Sequence, residues 1–441
     1  GVLGKQRRQI RKIKDDAELA QSTKDAQQQE KERREWEEER RRNAGASHAD
    51  RTIVNPLSEE GYRVRIHHEM AERLKPHQIE GVRFMWLRLM DGRTKGAKGG
   101  LGSLVALEDG DKGAGCILAH NMGLGKTFQV VTLLHTIAAN VPPSNPEMRR
   151  MLVLGPVNTM HNWKAELNRF LPRSGPSGGI LEVSVLDEAG KTNEARCDAL
   201  SRWFKSGGVM CMGYEMYRNL VLGGRVKDKK LKDRFDRYLR DPGPGIVIAD
   251  EGHILRNHKS NISIALSKVT TKRRCVLTGS PLQNNLTEYH CMVDFINPGL
   301  LGTLQEFRNR FEIPILNGES EDAREEDVRM MKQRNFVLHK QLNHMVQRKD
   351  FTPLVKSLPP KFEFTIMIRM NDLQKRLYKF ALEKRDECGI NSLFTAYHTL
   401  MKVWNHPAVL YIKGKEKKVV DGISEDDDDD DIEEATSASG G

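Results

Sequence analysis

No two cysteines stand at a C-x-x-C or other zinc-binding spacing; Cys116, Cys197, Cys211, Cys275, Cys291 and Cys388 are scattered along the chain. That argues against a cysteine metal site or a disulfide framework and fits reduced thiols in an intracellular protein. No apolar run reaches the roughly 18 residues a membrane span requires, so no membrane partner is expected. The opening from Gly1 to Arg8 lacks the apolar core of a signal peptide. It also starts without methionine, so an internal fragment or a processed start is expected. Basic residues are absent from 425–434, where nine side chains are acidic, and without that tract the net charge of +10 becomes +19. A body that basic suits a phosphate-backbone partner, whereas the acidic run reads as a solvated, disordered tract. Basic histone surfaces, or the chain's own basic face, are its alternative targets.

Against those absences stand two complementary segments. The apolar run Cys116-Ile117-Leu118-Ala119 leads into His120-Asn121-Met122-Gly123-Leu124-Gly125-Lys126-Thr127. A strand followed by a glycine-bearing turn and Gly-Lys-Thr is the form of a phosphate-binding loop. Its backbone N–H groups cradle phosphates, the lysine reaches the outer ones and the hydroxyl holds Mg²⁺. Far downstream, Ile246-Val247-Ile248-Ala249 delivers Asp250-Glu251-Gly252-His253. Ligands bind at the carboxyl ends of strands in an open parallel sheet, so the two segments together point to nucleotide hydrolysis. Only the first loop position departs from the usual pattern, carrying His120 where glycine is normal.

Further motifs narrow the reading. Leu74-Lys75-Pro76-His77-Gln78 precedes Gly81-Val82-Arg83-Phe84-Met85-Trp86, and Thr278-Gly279-Ser280-Pro281-Leu282-Gln283-Asn284-Asn285 follows an apolar run. With the Asp-Glu-Gly-His box, these resemble the motifs of Swi/Snf-type superfamily-two ATPases. The histidine-headed loop, the glycine inside the acidic box, and the stretches 208–219 and 288–293 are similar to the ATRX-like subgroup. The resemblance runs from about Ile10 to about Leu410. It implies an ATP hydrolase that moves on double-stranded DNA or nucleosomes, with histones or other chromatin proteins as further partners, in the nucleus.

The fold class expected is α/β, a RecA-like parallel sheet flanked by helices. Strands are predicted at 151–155, near 180–186, and at 209–212, 246–249 and 274–277, alternating with helical stretches such as Thr127–Ala138. Residues 1–45 form a charged helical arm, expected to be exposed apart from a short apolar stripe at Ile10, Ile13, Ala17 and Ala20 that is expected to dock on the motor or a partner; a nonspecific basic patch lies at Lys5–Lys14. Residues 46–61 form a linker and 62–303 the ATP-binding lobe. A mainly helical extension covers 304–415, including a strand-like Phe362–Met370, and 416–441 form the acidic tail. Within the lobe, Lys227–Arg240 reads as a basic helical insertion and Asp91–Gly115 as a flexible one. No later glycine-rich helicase motif and no paired arginines follow, so a second lobe is expected to be missing and this chain alone to turn ATP over weakly.

On that resemblance, ATP and Mg²⁺ are the cofactors. Gln78, Gly123, Leu124, Gly125, Lys126 and Thr127 bind nucleotide; Thr127 and Asp250 hold the metal. Lys126, Asp250 and Glu251 are the catalytic residues, with Glu251 orienting the attacking water. Gln78 has an acceptor and a donor suited to an adenine edge. His253, Thr278, Gly279 and Ser280 couple the phosphate site to movement. Asn162, Lys164, Tyr214 and Arg218 lie on the loops that face DNA in such motors. Two alternatives remain: a strand-separating helicase, and a non-enzymatic ATP-binding or docking module.

Overall fold

Short apolar runs bounded by turn formers become the strands of one sheet. The computed structural model describes residues 19–43, 50–56, 63–90, 113–141, 145–172, 181–224, 226, 228–279, 286–355, 358–384, 392–410 and 412. Outside them lie the start of the arm with Lys5–Lys14, most of the 91–115 insertion, Ser280 to Asn285, and the acidic tail.

The strands are β1 (Cys116–His120), β2 (Arg150–Gly155), β3 (Val183–Val185), β4 (Gly208–Gly213), β5 (Ile246–Ala249), β6 (Arg274–Thr278) and β7 (Val346–Lys349). They pair in the order β3-β4-β2-β5-β6-β1-β7, and every pairing is parallel. Every residue of β1, β2, β4, β5 and β6 is buried, as a sheet covered on both faces requires. Alternate side chains feed opposite cores: Ile117 and Ala119 join one, Cys116 and Leu118 the other. Helices Pro76–Leu89, Lys126–Asn140 and Met160–Phe170 close one face. Asn193–Ser206, Tyr214–Leu222, Lys229–Leu239, Asn261–Ser267 and Leu286–Ile296 close the other. The α/β parallel architecture is thus the one expected.

Four expectations differ from the structure. Strand β7 lies beyond residue 303, and the compact unit runs on to Leu358, taking in helices Leu304–Phe307, Ile313–Gly318 and Glu325–Leu342. An edge strand buries only part of its surface, so Val346-Gln347-Arg348-Lys349 needs no apolar run. Helix Lys229–Leu239 is basic outside but inserts Leu231, Phe235, Tyr238 and Leu239 into the core. The arm helix Gln21–Asn43 is not exposed throughout: Glu30, Arg33 and Glu37 are buried, Gln27 Nε2 donates to Leu300 O at 3.1 Å, and Ala20 N donates to Glu306 Oε1 at 3.2 Å. The contact face along Gln21–Asn43 is polar, and the apolar stripe expected to dock lies, apart from Ala20, outside the described residues.

The fourth difference lies in the second unit, from Pro359 onward. Phe362–Met370 has no ladder partner among the described residues, and Phe362, Phe364, Ile366 and Ile368 are exposed. β-propensity creates no strand without a neighbour to pair with. In the same unit, helices Asp372–Glu383 and Leu393–Asn405 meet through Ala381 and Leu400. Gln374 Nε2 ties the pair by donating to Val403 O and Trp404 O.

Candidate functional site

Strand β1 ends at His120, the chain turns through residues 121–125, and a helix starts at Lys126. The turn uses left-handed backbone at Gly123 (φ 83) and Gly125 (φ 72), which glycine adopts without steric cost. A Cβ on Gly125 would also come within 2.3 Å of Gln78 Nε2. The unpaired N–H groups at the start of the Lys126–Asn140 helix make this end suited to an anion. Strand β7 braces the turn, with Asn121 N donating to Lys349 O at 3.0 Å.

Gln78 is buried against this loop. Its Nε2 donates to Leu124 O at 3.1 Å and its Oε1 accepts from Lys75 N at 2.9 Å; His77 Nε2 lies 3.3 Å from Leu124 O. In this arrangement Gln78 ties the loop to its own helix with both ends of the amide, and reading an adenine edge requires that amide to turn. Beneath the loop, the His120 ring is fully buried and lies 3.4 Å from Gln129 Nε2. Burial lowers its pKa to about 4, and nearby His77, Lys126 and Lys349 push the same way. The ring is therefore neutral. Gly81 completes this layer: a Cβ there would meet Gln129 Oε1 at 1.9 Å. His120 thus fills space under the loop, which explains why this position carries a ring.

The two carboxylates emerge from β5. Asp250 N donates to Leu154 O of β2 at 2.7 Å. Both side-chain oxygens of Asp250 accept hydrogen bonds: Oδ2 from Trp163 Nε1 at 2.8 Å, and Oδ1 from Glu251 N at 3.0 Å. Its carbonyl oxygen accepts from Tyr214 Oη at 2.6 Å. Glu251 holds φ 50, the sole positive-φ non-glycine position among the described residues, a conformation that concentrates at functional sites. Its Oε2 lies 3.2 Å from Nδ1 of exposed His253.

Lys126 Nζ donates to His120 O at 2.8 Å. Burial lowers its pKa, while the charges of Glu251 and Asp250 oppose that shift. One cation and two carboxylates, drawn from the ends of β1 and β5, therefore share a field. Thr127 follows on the first turn of the helix, partly buried.

The remaining sequence-derived residues divide. Thr278 is buried at the end of β6, and Gly279 faces Met122 of the phosphate loop, whose Cγ would lie 3.5 Å from an added Cβ. Ser280 lies outside the described residues. Asn162 is exposed; Lys164 pairs with Glu188, and Arg218 donates to Asn219 Oδ1. Tyr214 is a correction: it is buried, its pKa is pushed well above the usual phenol value by burial, and its hydroxyl serves Asp250. A buried Tyr needs a partner for its hydroxyl, and that partner is the backbone of the acidic box. Sequence reasoning also missed Trp163 as a partner of Asp250. The signal available was the indole N–H, a donor that burial obliges to find an acceptor.

A family model described as SNF2-related domain matches residues 77–418. The chain is 43% identical over 389 residues to the human protein named transcriptional regulator ATRX, covering 85% of this chain and 15% of that one. It is 40% identical to the Arabidopsis thaliana protein CHROMATIN REMODELING 20, covering 83% and 24%, and 39% identical to human helicase ARIP4, covering 82% and 26%. The chain therefore spans about a quarter or less of these relatives' lengths. Among solved structures it is similar to the Sulfolobus solfataricus SWI2/SNF2 ATPase core in complex with dsDNA, at 22% identity and TM-score 0.45, covering 77% of this chain and 59% of that one.

Proposed function

The chain belongs to the SNF2-related domain family, and from that premise we propose that it binds Mg-ATP at the 120–127 loop, and duplex DNA, as the ATP-binding lobe of a motor that moves along double-stranded DNA. The observation that carries this reading is the glycine loop leading to Lys126 at the end of β1, set one strand away, across β6, from Asp250 and Glu251 at the end of β5. We assign it to the ATRX-like type of chromatin remodeller, acting in the nucleus on DNA or nucleosomes; similarity to a transcriptional regulator and a chromatin-remodelling protein supports that.

The residues present fit nucleotide and metal. The left-handed glycines keep the loop open to phosphate, and the helix start offers N–H donors. Lys126, now on His120 O, is the cation that moves onto the outer phosphates. Thr127 and Asp250 would hold Mg²⁺, which neutralises charge on the phosphates when bound. Glu251 orients and accepts a proton from the attacking water, and His253 beside it is suited to sense whether that carboxylate is engaged. Gln78 reports occupancy of the base site to the loop it tethers.

The test separates binding from chemistry. Lys126→Ala should weaken binding of a fluorescent ATP analogue in magnesium at least tenfold. Glu251→Gln should leave that affinity within about twofold while abolishing single-turnover hydrolysis, because an amide keeps the shape and cannot act as a base. Unchanged affinity in Lys126→Ala would remove the assignment.

A further inference from the structure

Strands β4, β2 and β5 are neighbours in the sheet, and their carboxyl ends converge on one residue. The helix after β2 sends Trp163 to the side chain of Asp250; the helix after β4 sends Tyr214 to its carbonyl oxygen. Both aromatic residues are buried, at 3% exposure each. Trp163 is flanked on its helix by exposed Asn162 and by Lys164, whose ammonium is held by Glu188 across a partly exposed ion pair. One short helix thus carries polar groups at the surface and, between them, a rigid donor fixed on the metal-binding carboxylate.

We propose that Trp163, with Tyr214 in support, is a positioning residue that links duplex binding to magnesium binding at Asp250. The inference rests on the function proposed above and adds its regulation. When Lys164 exchanges Glu188 for a DNA phosphate, its helix shifts against β5, and the indole N–H carries that shift to Oδ2. An ionised carboxylate accepts several hydrogen bonds, so the Trp163 and Glu251 donors fix its plane and still leave lone pairs for a metal. Loss of an orienting partner of this kind lowers metal affinity by about 10–100-fold. Linkage between two bound species is reciprocal: duplex DNA lowers the magnesium concentration needed for nucleotide binding, and Mg-ATP raises affinity for the duplex.

The experiment is a magnesium titration of fluorescent ATP-analogue binding to the whole chain, with and without a short DNA duplex. In the unaltered protein the duplex should shift the magnesium midpoint downward. Trp163→Phe keeps the ring and removes the N–H; its midpoint should rise about tenfold and no longer respond to duplex. Its magnesium-free nucleotide affinity should stay unchanged, which general damage to the fold would not allow. Tyr214→Phe supplies an independent arm with a smaller shift in the same direction, and stands alone if Trp163→Phe fails to fold. If the unaltered chain binds nucleotide with magnesium but the duplex moves nothing, or if the folded variants titrate as it does, the inference is overturned and the proposed function stands. If the unaltered chain shows no magnesium-dependent nucleotide binding, that function falls and the inference falls with it.

Discussion

Arg88 and Glu30 form a fully buried fork: Arg88 Nη1 and Nη2 lie 2.9 and 3.2 Å from the two carboxylate oxygens of Glu30. Glu37 approaches the same guanidinium at 3.6 Å, and Arg33 Nη2 donates to Arg88 O at 2.9 Å. Burial opposes every charge here, yet the glutamates raise the Arg88 pKa, and His344, Arg88 and Arg33 together lower that of Glu37. The arm helix is therefore joined to the lobe through a buried ion cluster.

Arg88→Ala, which leaves two glutamates buried without their cation, should destabilise the lobe by about 3–5 kcal/mol. Deleting residues 1–43 should destabilise it comparably by stranding Arg88. The paired replacement Arg88→Met with Glu30→Leu should lose much less than the single change, as read by denaturant midpoints. Equal losses in single and paired variants would show that packing, not charge, joins the arm.

His120 makes stability depend on acid. Its folded pKa of about 4 lies below the ordinary 6.5, so between those values the unfolded chain holds the extra proton. Stability is intact above about pH 6.5, falls as pH drops through that window, and loses roughly 3 kcal/mol from this group by pH 4. His120→Asn should flatten that part of a pH–melting profile. His120→Gly, which restores the usual loop residue, should instead destabilise by about 2–4 kcal/mol through the space left under the loop.

Two glycines should resist substitution for different reasons. Gly81→Ala drives a methyl into Gln129 and should cost about 1–3 kcal/mol in thermal stability. Gly125→Ala meets both a left-handed φ and the Gln78 amide, so it should cost roughly 1 kcal/mol or more in stability. It should also weaken nucleotide binding at least tenfold. Wild-type binding in Gly125→Ala would count against the loop's role.

On the proposed function, duplex binding should be insensitive to sequence and steeply salt-dependent, because a basic surface that neutralises phosphates reads no bases. Affinity for two unrelated duplexes should fall in parallel, by roughly a thousandfold between about 50 and 200 mM salt if six or so phosphates are engaged. A marked preference for one duplex would point to base readout.

Much of the lobe was legible in the sequence, because fully buried parallel strands must be continuous apolar runs; β1, β2, β4, β5 and β6 each fall within a residue or two of expectation. Strand β7 was hidden because its edge position leaves polar residues affordable in Gln347, Arg348 and Lys349. Docking through the charged part of the arm was hidden because Glu30, Arg33 and Glu37 bury charge in place of apolar area. At the site, the loop and acidic box could be read from short-range spacing. The Trp163 and Tyr214 contacts to Asp250 could not, since they join residues 87 and 36 positions apart. The family resemblance put Tyr214 on a loop facing DNA, whereas the structure buries it with its hydroxyl on Asp250 O.

The strand order carries a consequence for synthesis. Strand β1 lies between β6 and β7, both of which leave the ribosome after it. At about 5–20 residues per second, the interval from His120 to Thr278 lasts roughly 8–30 s. Throughout it, Cys116-Ile117-Leu118-Ala119 has no native neighbour on either edge. Nascent chains stalled before residue 274 should therefore be cleaved by protease near this strand, and chains stalled well past residue 349 should be protected. The loop destined for phosphate is made early and acquires its shape late, and in between a chaperone has its longest opportunity to bind.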